Sequence, residues 1–275
     1  MLMWNGPFFK TLQTHLSINY QHFSLNQEVY MTEPTLNHAA AERFKPFQDE
    51  ILKHHKKIIH SITITGSALT DDFDPETSDV NSVFVLHAMD LEFLEFLAPM
   101  GKTYGKKRIA SPLIMTPEYI LNSLDVFPME FLNIRLLHET IFGEDLFQNL
   151  VIDKSDLRLQ CERELKARLI GLRQGYLSSS GDAKILTDLF INTIAGYIPL
   201  FRGIILILGK EPPLRNEDVL AVLEEVSGVD TQVFRTVLKQ KRQKTKMMIT
   251  QLNAIFKDYY VAIEKLGDIT DGIKD

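Results

Sequence analysis

Thr63-Ile64-Thr65-Gly66-Ser67, read together with Ser78-Asp79-Val80-Asn81 and the apolar run Val83-Phe84-Val85-Leu86, is the stretch that decides the fold. A β-branched strand runs into Gly-Ser, a loop rich in Asp and Thr follows, and an acidic residue stands at the mouth of a second strand. Gly66 has no Cβ, so a phosphate can come close to the backbone there. The Ser67 hydroxyl and the neighbouring N–H groups can donate to phosphate oxygens. Gly-Ser alone also fits a plain strand-ending turn. Asp79 strengthens the phosphate reading. Residues two apart on a strand point the same way, so an Asp-x-Asp pair can clamp Mg²⁺ between the protein and a triphosphate. Here the pair is Asp79 and Asn81. An amide offers an oxygen without a charge, so metal affinity should fall.

Outward from this stretch, residues 58–65 and 80–87 read as strands, the second apolar enough to be central. Residues 36–57 carry Ala39, Ala40, Phe44, Phe47, Ile51 and Leu52 at helical spacing, with Pro46 bending the helix or marking its first turn. Residues 90–104 read as a helix and 111–115 as a short strand. Thr116-Pro117-Glu118 opens a helix, with Thr116 as its cap. Residues 128–134 read as another strand, and Gly143-Glu144-Asp145 starts a turn and a short helix. Such alternation predicts a mixed sheet with helices packed on it. After residue 150 the pattern becomes helical only, over 157–177, 183–208, 216–226 and 231–266, a bundle of four or five helices. The expected fold is therefore α+β: a loose tail over 1–34, a mixed β-sheet domain over 35–150 and an all-α helical bundle over 151–275. Met31-Thr32-Glu33-Pro34 reads like a natural beginning of the chain.

The 275 residues are 45% hydrophobic and 24% charged, ordinary for a globular protein, and the net charge of −6 argues against binding duplex DNA by bulk charge. The one cysteine, Cys161, excludes an internal disulfide and a cysteine-based zinc site, and fits a cytoplasmic setting. Residues 189–208 have the length of a membrane span, but Asn192, Gly196, Pro199 and Arg202 interrupt them, so a buried bundle helix is expected. A third acid is wanted beside Asp79, and the candidate is Glu130 in Phe127-Pro128-Met129-Glu130-Phe131-Leu132, with Asp125 and Asn133 as lesser choices. Asp71, Asp72, Asp74 and Glu76 read as a solvated loop. Lys239, Lys241, Arg242, Lys244 and Lys246 read as a solvated helix face. Lys106, Lys107 and Arg108 lie in a loop where they could face a nucleotide.

Gly66-Ser67, the Thr70-containing loop and Ser78-Asp79-Val80-Asn81 resemble the signature of the nucleotidyltransferase superfamily, the DNA polymerase β-like fold. The likeness covers roughly residues 58–150. The run from Ser123 to Pro128, with His138 and Gly143-Glu144-Asp145, resembles a bacterial branch of that superfamily, and the helical half resembles the plan of kanamycin-type nucleotidyltransferases. The resemblance implies Mg²⁺-dependent transfer of a nucleoside monophosphate from an NTP such as ATP to a hydroxyl of a small molecule or protein. It makes Gly66, Ser67 and Thr70 nucleotide contacts and Asp79 a catalytic metal ligand. Position 81 would also be a metal ligand, where this chain has Asn81, and Glu130 would complete the metal shell or act as base. The alternative is a degenerate fold that binds a nucleotide or partner protein without chemistry. A third reading is an interaction module built on the helical half, which self-association would reveal.

Overall fold

In the computed structural model, which describes residues 34–243 and 245–273, the quoted stretch forms the centre of a four-stranded sheet. Strand β1 (Ile59–Thr65) pairs antiparallel with β2 (Asn81–Leu86) on one side and with the last strand, β4 (His138–Gly143), on the other. The short β3 (Leu113–Met115) runs parallel to β2, giving the order β3-β2-β1-β4. Ile62, Ile64, Phe84 and Leu86 project from one face into a core with Phe44, Phe47 and Ile51 of helix α1 (His38–His55). Phe47 meets Phe84 edge-on at 5.9 Å between ring centroids. Asn37 caps α1 by accepting from the amides of Ala39 and Ala40, and Pro46 lies inside the helix without ending it. From the opposite face Val83 and Val85 enter the larger core, which runs on into the helical region. Burial on both faces explains the near-continuous apolar run of β2.

Several elements differ from the sequence reading. Residues 128–134 are not a strand but part of helix α5 (Pro128–Leu136), with Pro128 in its first turn. Met129, Phe131, Leu132 and Ile134 are all buried, so the segment is apolar on adjacent positions and periodicity cannot tell helix from strand. Strand β4 lies where the sequence carries no strand pattern and Gly143-Glu144-Asp145 reads as the start of a turn and helix; it is an edge strand of mixed polarity that ends at Gly143. The helix expected over 90–104 is two, α2 (Leu91–Leu97) and α3 (Met100–Gly105), parted by Ala98 and Pro99. Thr116 caps α4 (Pro117–Leu121) as the sequence implied, accepting from Tyr119 N–H.

After β4 the described residues are helical: α6 (Lys154–Ser178), α7 (Ala183–Ile194), α8 (Tyr197–Ile207), α9 (Asn216–Ser227), α10 (Gln232–Gln243) and α11 (Ile249–Gly272). There are thus six rather than four or five. Two of the expected long helices are broken. The 183–208 segment bends by 46° between α7 and α8, so no single described helix is long and apolar enough to cross a membrane, although the bent pair together passes by length and composition. Pro199 falls in the first turn of α8, where its missing N–H is tolerated. Arg202 is buried in α8 and donates to Pro213 O, Leu214 O and Asn133 Oδ1. The expected tail and the Met31 start lie outside the described residues, apart from Pro34.

Candidate functional site

At the end of β1, Thr65 lies between Asn81 of β2 and His138 of β4 in register, so the three share one face of the sheet. Further along that face the Thr63 and Thr140 hydroxyls are 2.9 Å apart. Gly66 then turns the chain at φ +79°, with its N–H donating to Leu137 O at 2.9 Å. A Cβ there would meet only Asn81 Nδ2, at 3.7 Å, so glycine is required by the left-handed backbone and not by crowding. A single 3₁₀ turn, Gly66–Leu69, follows. Thr70 closes it: its N–H and Oγ1 both donate to Ser67 O, at 3.0 and 3.3 Å, and its Oγ1 accepts from Asp72 N–H. The Thr70 hydroxyl therefore shapes the loop. Ser67 Oγ has no partner among the described residues and is free to donate to a ligand.

The approach to β2 is held from two sides. Asp74 accepts from Thr77 Oγ1 and Glu76 N–H, and these bonds hold its carboxyl below the usual carboxylate range. Arg43 donates to Ser78 O at 3.1 Å and to Pro75 O. Arg108 donates to Thr77 O at 3.1 Å and stands 3.7 Å from Asp79 Oδ1. Val80 is fully buried and forms a parallel bridge to Ile109. With Val80 turned into the α1 core, Asp79 and Asn81 lie on the other face, exposed. The segment that adjoins β2 on its far side, Ile109-Ala110-Ser111-Pro112-Leu113-Ile114-Met115, contains no carboxylate.

Glu130 sits elsewhere than a neighbouring strand. It is in the first turn of α5 and accepts from Gln160 Nε2 of α6 at 2.7 Å, while Gln160 Oε1 accepts from Met129 N–H at 2.8 Å. Burial, with the Glu130 and Glu164 charges adding, pushes the adjacent Cys161 thiol up to about 12. No described hydrogen bond or ion pair joins Glu130 to Asp79 or Asn81. Gly66, Ser67, Thr70, Asp79 and Asn81 thus cluster at one end of β1 and β2, with Glu130 at a helix–helix joint. Among the described residues, no three His, Cys, Asp or Glu side chains converge as a metal site. The donors at β2 are one carboxylate, with a guanidinium nitrogen 3.7 Å from its Oδ1, and one neutral amide, a weaker donor set than paired carboxylates.

Features with a weaker sequence signal complete the site. His138 Nε2 lies 3.1 Å from both Asp145 oxygens, and its Nδ1 is 3.0 Å from Arg135 O. Partial burial pulls the Asp145 carboxyl upward, but the Phe147 N–H and His138 outweigh it and hold the group below its ordinary value. Asp72, expected in a solvated loop, instead accepts from the N–H of Asn216 in the first turn of α9 at 2.9 Å and from Arg242 of α10 at 3.3 Å. It ties the loop after Gly66-Ser67 to the helical region. Beside this contact a groove of about 600 Å³ is lined by Glu217, Arg235, Thr236, Lys239 and Arg242. Arg235 and Arg242 reach Glu217, whereas Lys239 has no ionic partner among the described residues. The spacing 235, 239, 242 could have flagged one helix face, but only the fold brings it to Asp72.

No protein-family model matches the chain, and no curated protein sequence matches it. Among solved structures, the chain is similar to a spectinomycin adenyltransferase, AAD(9), from Enterococcus faecialis, determined with ATP and spectinomycin. The two share 14% identity and a TM-score of 0.54, over 82% of this chain and 98% of the other. The likeness establishes the fold: a mixed four-stranded sheet with helices, followed by an all-helical region, as in that adenyltransferase.

Proposed function

We propose that this chain binds a nucleoside triphosphate at the Gly66-Ser67 turn and does not carry out metal-dependent nucleotidyl transfer. One observation carries the reading. The strand that should present paired carboxylates presents Asp79 and Asn81, Asp79 faces Arg108, and the adjoining 109–115 segment has no acid. The free Ser67 hydroxyl and the left-handed Gly66 turn favour retention of phosphate binding. The neighbouring fold was solved with ATP, which makes ATP the first ligand to try.

A second reading, transfer of a nucleoside monophosphate to a hydroxyl of a small molecule, draws support from that neighbour, an adenyltransferase solved with both ATP and spectinomycin. The two readings separate cleanly. ATP is titrated calorimetrically into the chain, and pyrophosphate release is then followed with ATP, Mg²⁺ and a panel of hydroxyl acceptors that includes spectinomycin. Binding without pyrophosphate is the expected result. Steady acceptor-dependent pyrophosphate release establishes the second reading instead, and a folded sample that binds no nucleotide removes both.

A further inference from the structure

Arg108 forms an ion pair with the Asp79 carboxylate, at 3.7 Å. Its position is built by the backbone. Arg108 follows α3 at φ +55°, a left-handed conformation unusual for a residue with a side chain. Its N–H donates to Gly105 O and the next N–H, of Ile109, to Tyr104 O, so the residue closes the helix in the place that glycine usually takes. Its carbonyl accepts from Val80 N–H at 2.8 Å, which fixes this turn against the start of β2. The side chain then reaches back over Asp79: one guanidinium nitrogen donates to Thr77 O at 3.1 Å and lies 3.7 Å from Asp79 Oδ1. A guanidinium has five N–H donors, and the Arg108 side chain remains 46% exposed, so donors stay available to a ligand. Arg43 holds the same loop through Pro75 O and Ser78 O but forms no ion pair with Asp79.

We propose that Arg108 replaces the divalent metal of this site: held against Asp79, its guanidinium neutralises the phosphates of a bound nucleoside triphosphate, so that nucleotide binding is independent of Mg²⁺. A planar guanidinium suits this task because it pairs with phosphate oxygens in two parallel bonds. The proposal rests on the nucleotide-binding reading above and adds the source of the positive charge.

The test is calorimetric titration of ATP into the full chain, in EDTA and in excess Mg²⁺, for wild type, Arg108→Gln, Arg108→Lys and Arg43→Gln, each shown folded by circular dichroism. Wild type should bind with the same Kd, within about threefold, in both buffers. Arg108→Gln should weaken binding in EDTA by about tenfold, and Mg²⁺ should restore part of the loss because Asp79 is released to a metal. Arg108→Lys keeps the charge and should keep metal independence. Arg43→Gln removes a loop support without touching the charge at Asp79, so its affinities in the two buffers should stay equal. A wild-type Kd that requires Mg²⁺ overturns the proposal and leaves nucleotide binding standing. Equal losses in Arg108→Gln and Arg43→Gln, with no Mg²⁺ response in either, also overturn it, because Arg108 is then only a loop support. No ATP binding in either buffer removes the proposal together with the reading beneath it.

Discussion

Replacing Asp72 with alanine tests whether the sheet loop and the helical region stabilise each other. The Asp72 carboxylate makes two contacts of different kind. Its bond to Asn216 N–H is charge-assisted and sits in the first turn of α9. Such a bond contributes about 1.5 kcal/mol, and a negative charge at a helix start adds about 0.5 kcal/mol. The Asp72 end of the Arg242 pair is 12% exposed and the arginine end 60% exposed, so solvent screens it. That pair is worth at most about 1 kcal/mol. Together Asp72→Ala should lose about 2–3 kcal/mol, lowering Tm by roughly 4–10 °C for a unit of this size. Thermal melts at pH 7 by circular dichroism read this directly. Asp71→Ala, an exposed neighbour with the same charge change, is the control and should shift Tm by less than about 2 °C. Raising the salt to about 1 M should erase the Arg242 share and leave the amide share. A melting point for Asp72→Ala within a degree of wild type, or equal shifts in the two variants, refutes the reasoning.

Gly66→Ala should destabilise by about 1–2 kcal/mol, since φ +79° disfavours any Cβ although the space is open; denaturant midpoints check it. Asn81→Asp should raise Mg²⁺ affinity at least tenfold, a gain of about 1.4 kcal/mol for a second carboxylate beside Asp79, measured by titrating Mn²⁺ as a spectroscopic surrogate; no gain would mean that Arg108 still blocks Asp79. Asp145 has a folded pKa below its ordinary 3.8, so its contribution is present above that value and lost as pH falls through the folded pKa. Asp145→Asn should therefore be less stable than wild type at pH 6, with the gap closing below pH about 3.8, in urea melts at stepped pH. Cys161, fully buried with its thiol pushed up to about 12, should resist thiol reagents at pH 8 until the chain is unfolded.

Much of the fold was legible because its signals are local. The strands on either side of Gly66-Ser67 and the cap Thr116 each depend on a few adjacent residues. The segments that misled were those whose surroundings outweigh their own pattern. Residues 128–134 are apolar on successive positions, and their place as a helix is set by packing against α6 and α8. β4 is an edge strand of mixed polarity, and what fixes it is pairing with β1, 77 residues away at Thr63 and Thr140. The run over 183–208 hides a bend at Ala195-Gly196, because the apolar pattern continues on both sides of that break.

Sequence alone determined the residue types of the site: a glycine at 66 with no Cβ, a hydroxyl at Ser67, and one carboxylate, Asp79, followed by the uncharged Asn81. Those choices are written in residue type, which no packing can alter. Tertiary structure decided what surrounds them. It put Glu130 on helix α5 rather than a strand, bonded to Gln160, set Arg108 against Asp79, brought His138 into register with Thr65 and seated Asp72 on α9. The physical reason is range. A charge acts on whatever lies within a few ångströms, and which side chains come that close to Asp79 is settled by strand register and helix packing over tens of residues.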